Sequence, residues 1–205
     1  MKAMNRMVLV GAMLMAMGSA VHAENEAVPG TAKPPMDPAM MEKMKALTSP
    51  TEVHKALELF AGKWTYGGKF WMTPDAPAQD MTGTTENSMI YGGRFLKQKI
   101  EGPWMGETFH GIGFTGYDNI KGEYVSVWID SMGTGIMAVT GQYDAATKTL
   151  AQSGANSCPL TGEKARPGRS TWTVVDTDHN TYTSYMNGPD GKEFKMMEIN
   201  YTRAA

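Results

Sequence analysis

An all-β fold is predicted: an up-and-down antiparallel β-barrel of about ten strands, preceded by one or two short N-terminal helices. Three observations predict it. Residues 62–205 hold 20 of the 23 glycines. Short runs rich in Thr, Tyr, Val and Trp recur along that stretch, and turn residues separate them at hairpin spacing. About ten strands in simple succession would leave a very wide open sheet, and closure removes its exposed edges. A two-sheet sandwich is the alternative.

The first element in chain order is a leader. Lys2 and Arg6 precede an uncharged run, Met7–Gly18, and Ser19–Ala23 ends in small residues with Val21 and Ala23 where a signal peptidase would inspect them. This pattern predicts a cleavable export signal over 1–23, a mature chain starting at Glu24 and a periplasmic or secreted protein. The run is too short for a bilayer span, which takes about 20 apolar residues. No further long apolar run follows, so no membrane span is expected after cleavage. Without Lys2 and Arg6 the chain keeps 17 basic and 21 acidic residues, a net charge of −4. That mild acidity is ordinary for solubility and argues against a nucleic-acid or anionic-lipid surface.

Residues 24–38 are polar and carry four prolines, which predicts a flexible linker. Asp37–Leu47 has good helix formers, so 24–48 reads as linker and short Met-rich helix. The barrel domain is expected over 49–205, with a leading helix over 50–61. Ser49-Pro50-Thr51-Glu52 has the form of a capping box, and Val53, Ala56, Leu57 and Phe60 fall at helical spacing before Gly62. Strands are predicted near 63–72, 81–91, 94–101, 106–117, 123–130, 135–143, 148–156, 169–176, 181–186 and 193–203. Gly111, Gly113 and Gly116 are expected to mark the sharpest bend of one strand.

Few residues suggest chemistry. Cys158 is the only cysteine, so no intramolecular disulfide can form. Its neighbours in sequence are not basic, and it reads as buried filler or a loop-edge thiol. His54 and His179 are expected on the surface, and His110 sits mid-strand. No spacing suited to zinc occurs, and no metal or cofactor is predicted. Met36, Met40, Met41 and Met44 could offer soft ligands to Cu(I), but neither His nor Cys accompanies them, and adaptable packing is the preferred reading. Motifs for a serine nucleophile, a zinc protease or a phosphate loop are missing. On strand 123–130, Tyr124, Ser126, Trp128 and Asp130 share one face, and Val125, Val127 and Ile129 share the other. Arg94, after a Gly-Gly turn, either grips an anionic ligand or pairs with Glu86 or Asp130.

Gly62-Lys63-Trp64 opens the first strand and Tyr201-Thr202-Arg203 closes the last. A Gly-x-Trp on the first strand with an Arg on the last resembles the lipocalin-like (calycin) barrels, where the Arg lies across the indole and closes one end. Leu59-x-x-Gly62-x-Trp64, Gly92-Gly93-Arg94-Phe95-Leu96, Phe109-x-Gly111-x-Gly113-x-x-Gly116-Tyr117-Asp118 and Trp128-x-Asp130-Ser131 are similar to the bacterial domain of unknown function 1579, over about residues 55–203. The resemblance implies a lipocalin-like barrel and no established activity. Related haem-binding barrels carry a His ligand on a late strand, and Tyr182–Arg203 contains none.

With that resemblance, the Trp128/Asp130 face is expected to line a pocket, because pockets combine apolar and aromatic walls with few polar groups. The cavity candidates are Trp128, Asp130, Arg94, Glu86, His110 and Tyr124; Gly62, Trp64 and Arg203 are the closure residues. The expected role is to bind a small, mostly apolar molecule without catalysis. An enzyme using Asp130, Glu86 or His110 as general acid or base is one alternative. A plugged barrel serving as an interaction module is the other.

Overall fold

The computed structural model describes residues 37–159 and 161–205. The export signal expected over 1–23 and the linker expected over 24–38, up to residue 36, lie outside the described residues. Helix α1 (Pro38–Thr48) is followed by α2 (Glu52–Lys55), which runs into a 3-10 turn over Ala56–Phe60. Ten strands complete the chain: β1 (Gly62–Phe70), β2 (Gln79–Ile90), β3 (Phe95–Trp104), β4 (Glu107–Asp118), β5 (Glu123–Asp130), β6 (Met137–Asp144), β7 (Thr149–Asn156), β8 (Arg166–Val174), β9 (His179–Asn187) and β10 (Glu193–Arg203). Chain neighbours pair antiparallel, and β1 also pairs with β10, which closes the barrel and rules out a sandwich.

Alternation decides which side chains fill the interior. Buried Trp64 and Tyr66 fix the inward face of β1. The register carries that face round, from Trp64 to Thr85, Thr85 to Ile100, Ile100 to Gly111 and Gly111 to Asp130. A register shift between Lys195 and Met197 lets Phe194 face inward beside Met186 while Met197 does so beside Ser184.

One end of the barrel is sealed by the helical segment. His54, Leu57 and Phe60 are buried there, three residues apart, as the tighter repeat of a 3-10 turn requires. The predicted stripe assumed α-helical spacing. Val53, one of its members, is instead 40% exposed. The helix also starts later than the predicted box. Thr51 is the cap, and its backbone N–H donates to His54 Nδ1 at 3.0 Å. His54 is therefore buried rather than on the surface, and its ring stands edge-on to Tyr117 with centroids 5.8 Å apart.

Leu57 and Phe60 join Leu96, Tyr124, Leu150, Trp172 and Val174 in one apolar cluster. Burying a side chain of this size stabilises the fold by about 1.5–3 kcal/mol. The closure residues lie beside the cluster. The Arg203 guanidinium sits 4.1 Å above the Trp64 ring, Nε donates to Thr177 O at 2.8 Å and Nη1 to Ala61 O at 3.3 Å. Gly62 has φ 133° and a Cβ there would run into that guanidinium, so glycine alone fits.

Helix α1 departs from its expected packing role. None of its residues is buried, and Met40, Met41 and Met44 are exposed. The end of α1 is held instead by polar contacts: Asn119 Nδ2 donates to Leu47 O at 3.1 Å and to Ser49 O at 2.8 Å.

Candidate functional site

The other end of the barrel is bounded by residues 71–78, 105–106, 131–136, 157–159, 161–165 and 188–192. No helix among the described residues covers it. Phe70, Met81, Trp104, Phe109, Trp128, Met137, Met186 and Met197 face inward near this mouth, and none of them is fully buried. Side chains of the same inward phase at the helical end, such as Leu96 and Leu150, are sealed at 1% and 2% exposure. The interior is thus packed at one end and accessible at the other. Four of the mouth residues are methionines, whose unbranched thioethers can move to admit a guest.

Trp128 is the centre of this wall. Its indole packs against the cluster of Trp64, Tyr66, Ile100, Ile199 and Tyr201. It lies over Gly111 and Gly113, where a Cβ would collide with the ring. These two glycines, read from sequence as a bend, make room for an aromatic side chain from the next strand. Gly116 does the same on the outer face for Phe95. Asp130 then fixes the indole. Its Oδ2 accepts from Trp128 Nε1 at 2.8 Å, and its Oδ1 accepts from Met132 N at 2.9 Å to start the following turn. With both oxygens engaged, Asp130 is built to position Trp128.

Deeper in, the lining becomes polar. Thr115 Oγ1 and Ser126 Oγ are 2.8 Å apart, and Ser126 Oγ donates to Gln152 Oε1 at 2.9 Å. Ser126 on β5 thus reaches Gln152 on β7 across the intervening β6, where Val139 lies opposite Ser126 and Gly141 opposite Gln152. Tyr66, Tyr182 and Tyr201 share this interior. Burial is the main cause that raises each phenol above its ordinary value, opposed by hydrogen bonds from Ser170 to Tyr182 and from Gln98 to Tyr201. All three stay neutral hydroxyls at physiological pH. Tyr182 is deep in the wall yet not sealed from the interior.

The remaining candidates fall elsewhere. Tyr124 shares the Trp128 face but is only 3% exposed. Its hydroxyl donates to Val53 O, so it anchors the helical segment rather than lining accessible space. Glu86 points outward because the inward positions of β2 are the odd ones, including buried Thr85 and Asn87. It lines a concavity of ≈ 250 Å³ on the outer wall with Lys63, Lys99 and Glu101. His110 is outward by the same alternation on β4, and its Nδ1 lies 3.4 Å from Glu101 Oε2. Arg94 belongs to the β2–β3 turn and donates from Nη1 to Tyr91 O at 2.9 Å, so it pairs with neither Glu86 nor Asp130. A second concavity of ≈ 280 Å³ lies outside the sealed end, between Leu59, Val174 and Arg203. Cys158 is buried and gains the basic neighbour that its sequence context lacks, since Arg166 Nη1 lies 3.1 Å from its Sγ.

Sequence reasoning missed the inner residues Gln152, Tyr182, Ser184 and Tyr201. For Tyr182 and Ser184 the signal was the even phase of β9, where they share one face with Asn180. Three moderately polar residues do not read as an interior surface.

Solved structures resemble the barrel. Rv2717c from M. tuberculosis superposes with a TM-score of 0.59 at 13% identity, covering 77% of this chain and all of that one. The S-type phycobiliprotein lyase CPES from Guillardia theta gives 0.52 at 11% identity, covering 80% of this chain and 97% of that one. At such identities the likeness concerns the fold alone. No curated protein matches the chain. The family model described as "protein of unknown function (DUF1579)" matches residues 49–203, nearly the whole barrel with its leading helix, and the chain belongs to that family.

Proposed function

We propose that this barrel binds a small, mostly apolar molecule through its open end, without catalysis. The observation that carries this reading is the contrast between the two ends. Inward aromatic and methionine side chains stay accessible at the mouth, while same-facing side chains under the helix are sealed. Apolar walls with few placed polar groups are what small-molecule sites use. Export to the periplasm or beyond belongs to the same proposal and rests on the pattern of residues 1–23.

The test is direct. Diphenylhexatriene, a fluorescent hydrocarbon, should bind the purified protein saturably and quench tryptophan emission. Trp128→Leu should weaken that binding by about 1–3 kcal/mol, the value of one large apolar contact. Native mass spectrometry of protein taken from its own envelope should show a retained small molecule, on a chain starting at Glu24. Unsaturable probe binding together with an empty barrel would refute the binding reading. A cytosolic protein starting at Met1 would refute export.

A further inference from the structure

We infer that the ligand carries a neutral hydrogen-bond acceptor, a ketone, ester or amide carbonyl, and that Gln152 and Ser184 read it. This rests on the binding reading above and adds the chemical class of the guest. Gln152, Ser170 and Ser184 are cross-strand neighbours on β7, β8 and β9, all facing the interior. Gln152 receives the Ser126 hydroxyl on Oε1, which fixes the amide so that Nε2 carries two free N–H groups. That Nε2 is buried and has no hydrogen-bond partner among the described residues. Ser184 is 6% exposed, and its Oγ is likewise buried and unpartnered. Native interiors seldom leave two donors of one wall unsatisfied, because each such group forfeits its hydration on burial. An acceptor that reaches this wall would satisfy one or both.

The charge pattern narrows the class. Among the described inward positions between the two ends, no side chain is ionic. Asp130, Glu107 and Arg166 stand at the mouth and Arg203 at the sealed end; Asp130 is held by Trp128, Arg203 by Thr177 O, and Arg166 by Cys158 Sγ and Glu163, with only its buried Nε left without a hydrogen bond. A carboxylate or ammonium carried inward would remain uncompensated in a low-dielectric interior. A neutral carbonyl has no such cost.

Two probes separate this inference from the reading beneath it. Prodan is a neutral naphthalene ketone whose emission moves to the red when its carbonyl accepts a hydrogen bond; diphenylhexatriene has no acceptor. The native protein should bind both. Gln152→Met, similar in volume and without donors, should weaken prodan on the order of five- to tenfold, the effect of one or two neutral hydrogen bonds. It should move bound prodan to the blue and leave diphenylhexatriene unchanged. Ser184→Ala should act in the same direction, and it decides the matter if Gln152→Met does not fold. Equal effects on both probes, or an unshifted prodan spectrum, would overturn the carbonyl assignment while leaving the binding barrel intact. A native protein that binds neither probe would overturn both.

Discussion

Among single residues, Trp64 and Arg203 make the clearest demand. The guanidinium lies on the indole face and donates to carbonyls from two other segments. A cation stacked on an aromatic ring gains from the ring quadrupole as well as from contact area. Trp64→Ala should cost about 3–5 kcal/mol, because it empties a buried aromatic site. Arg203→Ala should also destabilise, and the two losses should sum to more than the double mutant shows, by roughly 0.5–3 kcal/mol. Denaturant unfolding of the four proteins in the cycle measures this. Strict additivity would mean that the pair does not act as a unit. The same scale explains Asp130, whose carboxylate is occupied by the indole it positions. That leaves it poorly placed for acid–base work.

Among elements, the two helices behave oppositely. α1 buries nothing, whereas the segment from His54 to Phe60 fills the barrel end. Deletion through Thr48 should therefore leave the melting temperature nearly unchanged. Deletion through Ala61 should cost at least the burial of Leu57 and Phe60, about 3–6 kcal/mol together. Calorimetry of both truncations checks this, and equal losses would contradict the assignment. Most strands were legible in sequence because their turns are chemically marked, although the strand expected over 169–176 ran past Val174 into the turn that Asp176 makes. Asp118, Asp144 and Asp176 each accept backbone N–H groups two or three residues on. Those bonds are also the largest cause that holds each carboxyl below its ordinary value. What stayed illegible was the phase of strands with polar residues on both faces. On β2, Thr85 and Asn87 face in while Glu86 faces out, and the residue types alone do not rank them. Asn87 is drawn inward by a bond to Phe60 O at 2.9 Å, a contact that exists only once the helix has docked. The 3-10 turn was hidden for a similar reason. Its spacing differs from an α-helix by less than one residue per turn, and packing rather than propensity selects it.

At the scale of the whole molecule, buried phenols make the barrel sensitive to alkali. Tyr124 is pushed from 10.0 up to about 12, first by burial and then by the neighbouring Tyr117 and Tyr143. Tyr66, Tyr182 and Tyr201 are raised by burial in the same direction. The unfolded chain releases these protons first, so folding binds more protons and stability must fall as pH rises. The contribution of Tyr124 is fully present below pH 10 and is lost as pH approaches 12. Phenolate absorbance and far-ultraviolet circular dichroism should therefore change together above pH 10. Complete tyrosine ionisation with intact dichroism would contradict the burial described. The pairing of β1 with β10 has a consequence in time. Neighbouring hairpins can form as the chain emerges, but the seam joins its first strand to its last. Until the final residues are available, β1 and β9 both present unpaired edges and the apolar lining has no enclosure. A barrel whose closure waits for its last strand stays pliable until synthesis is complete, and stopping synthesis before Glu193 should leave it open to proteases.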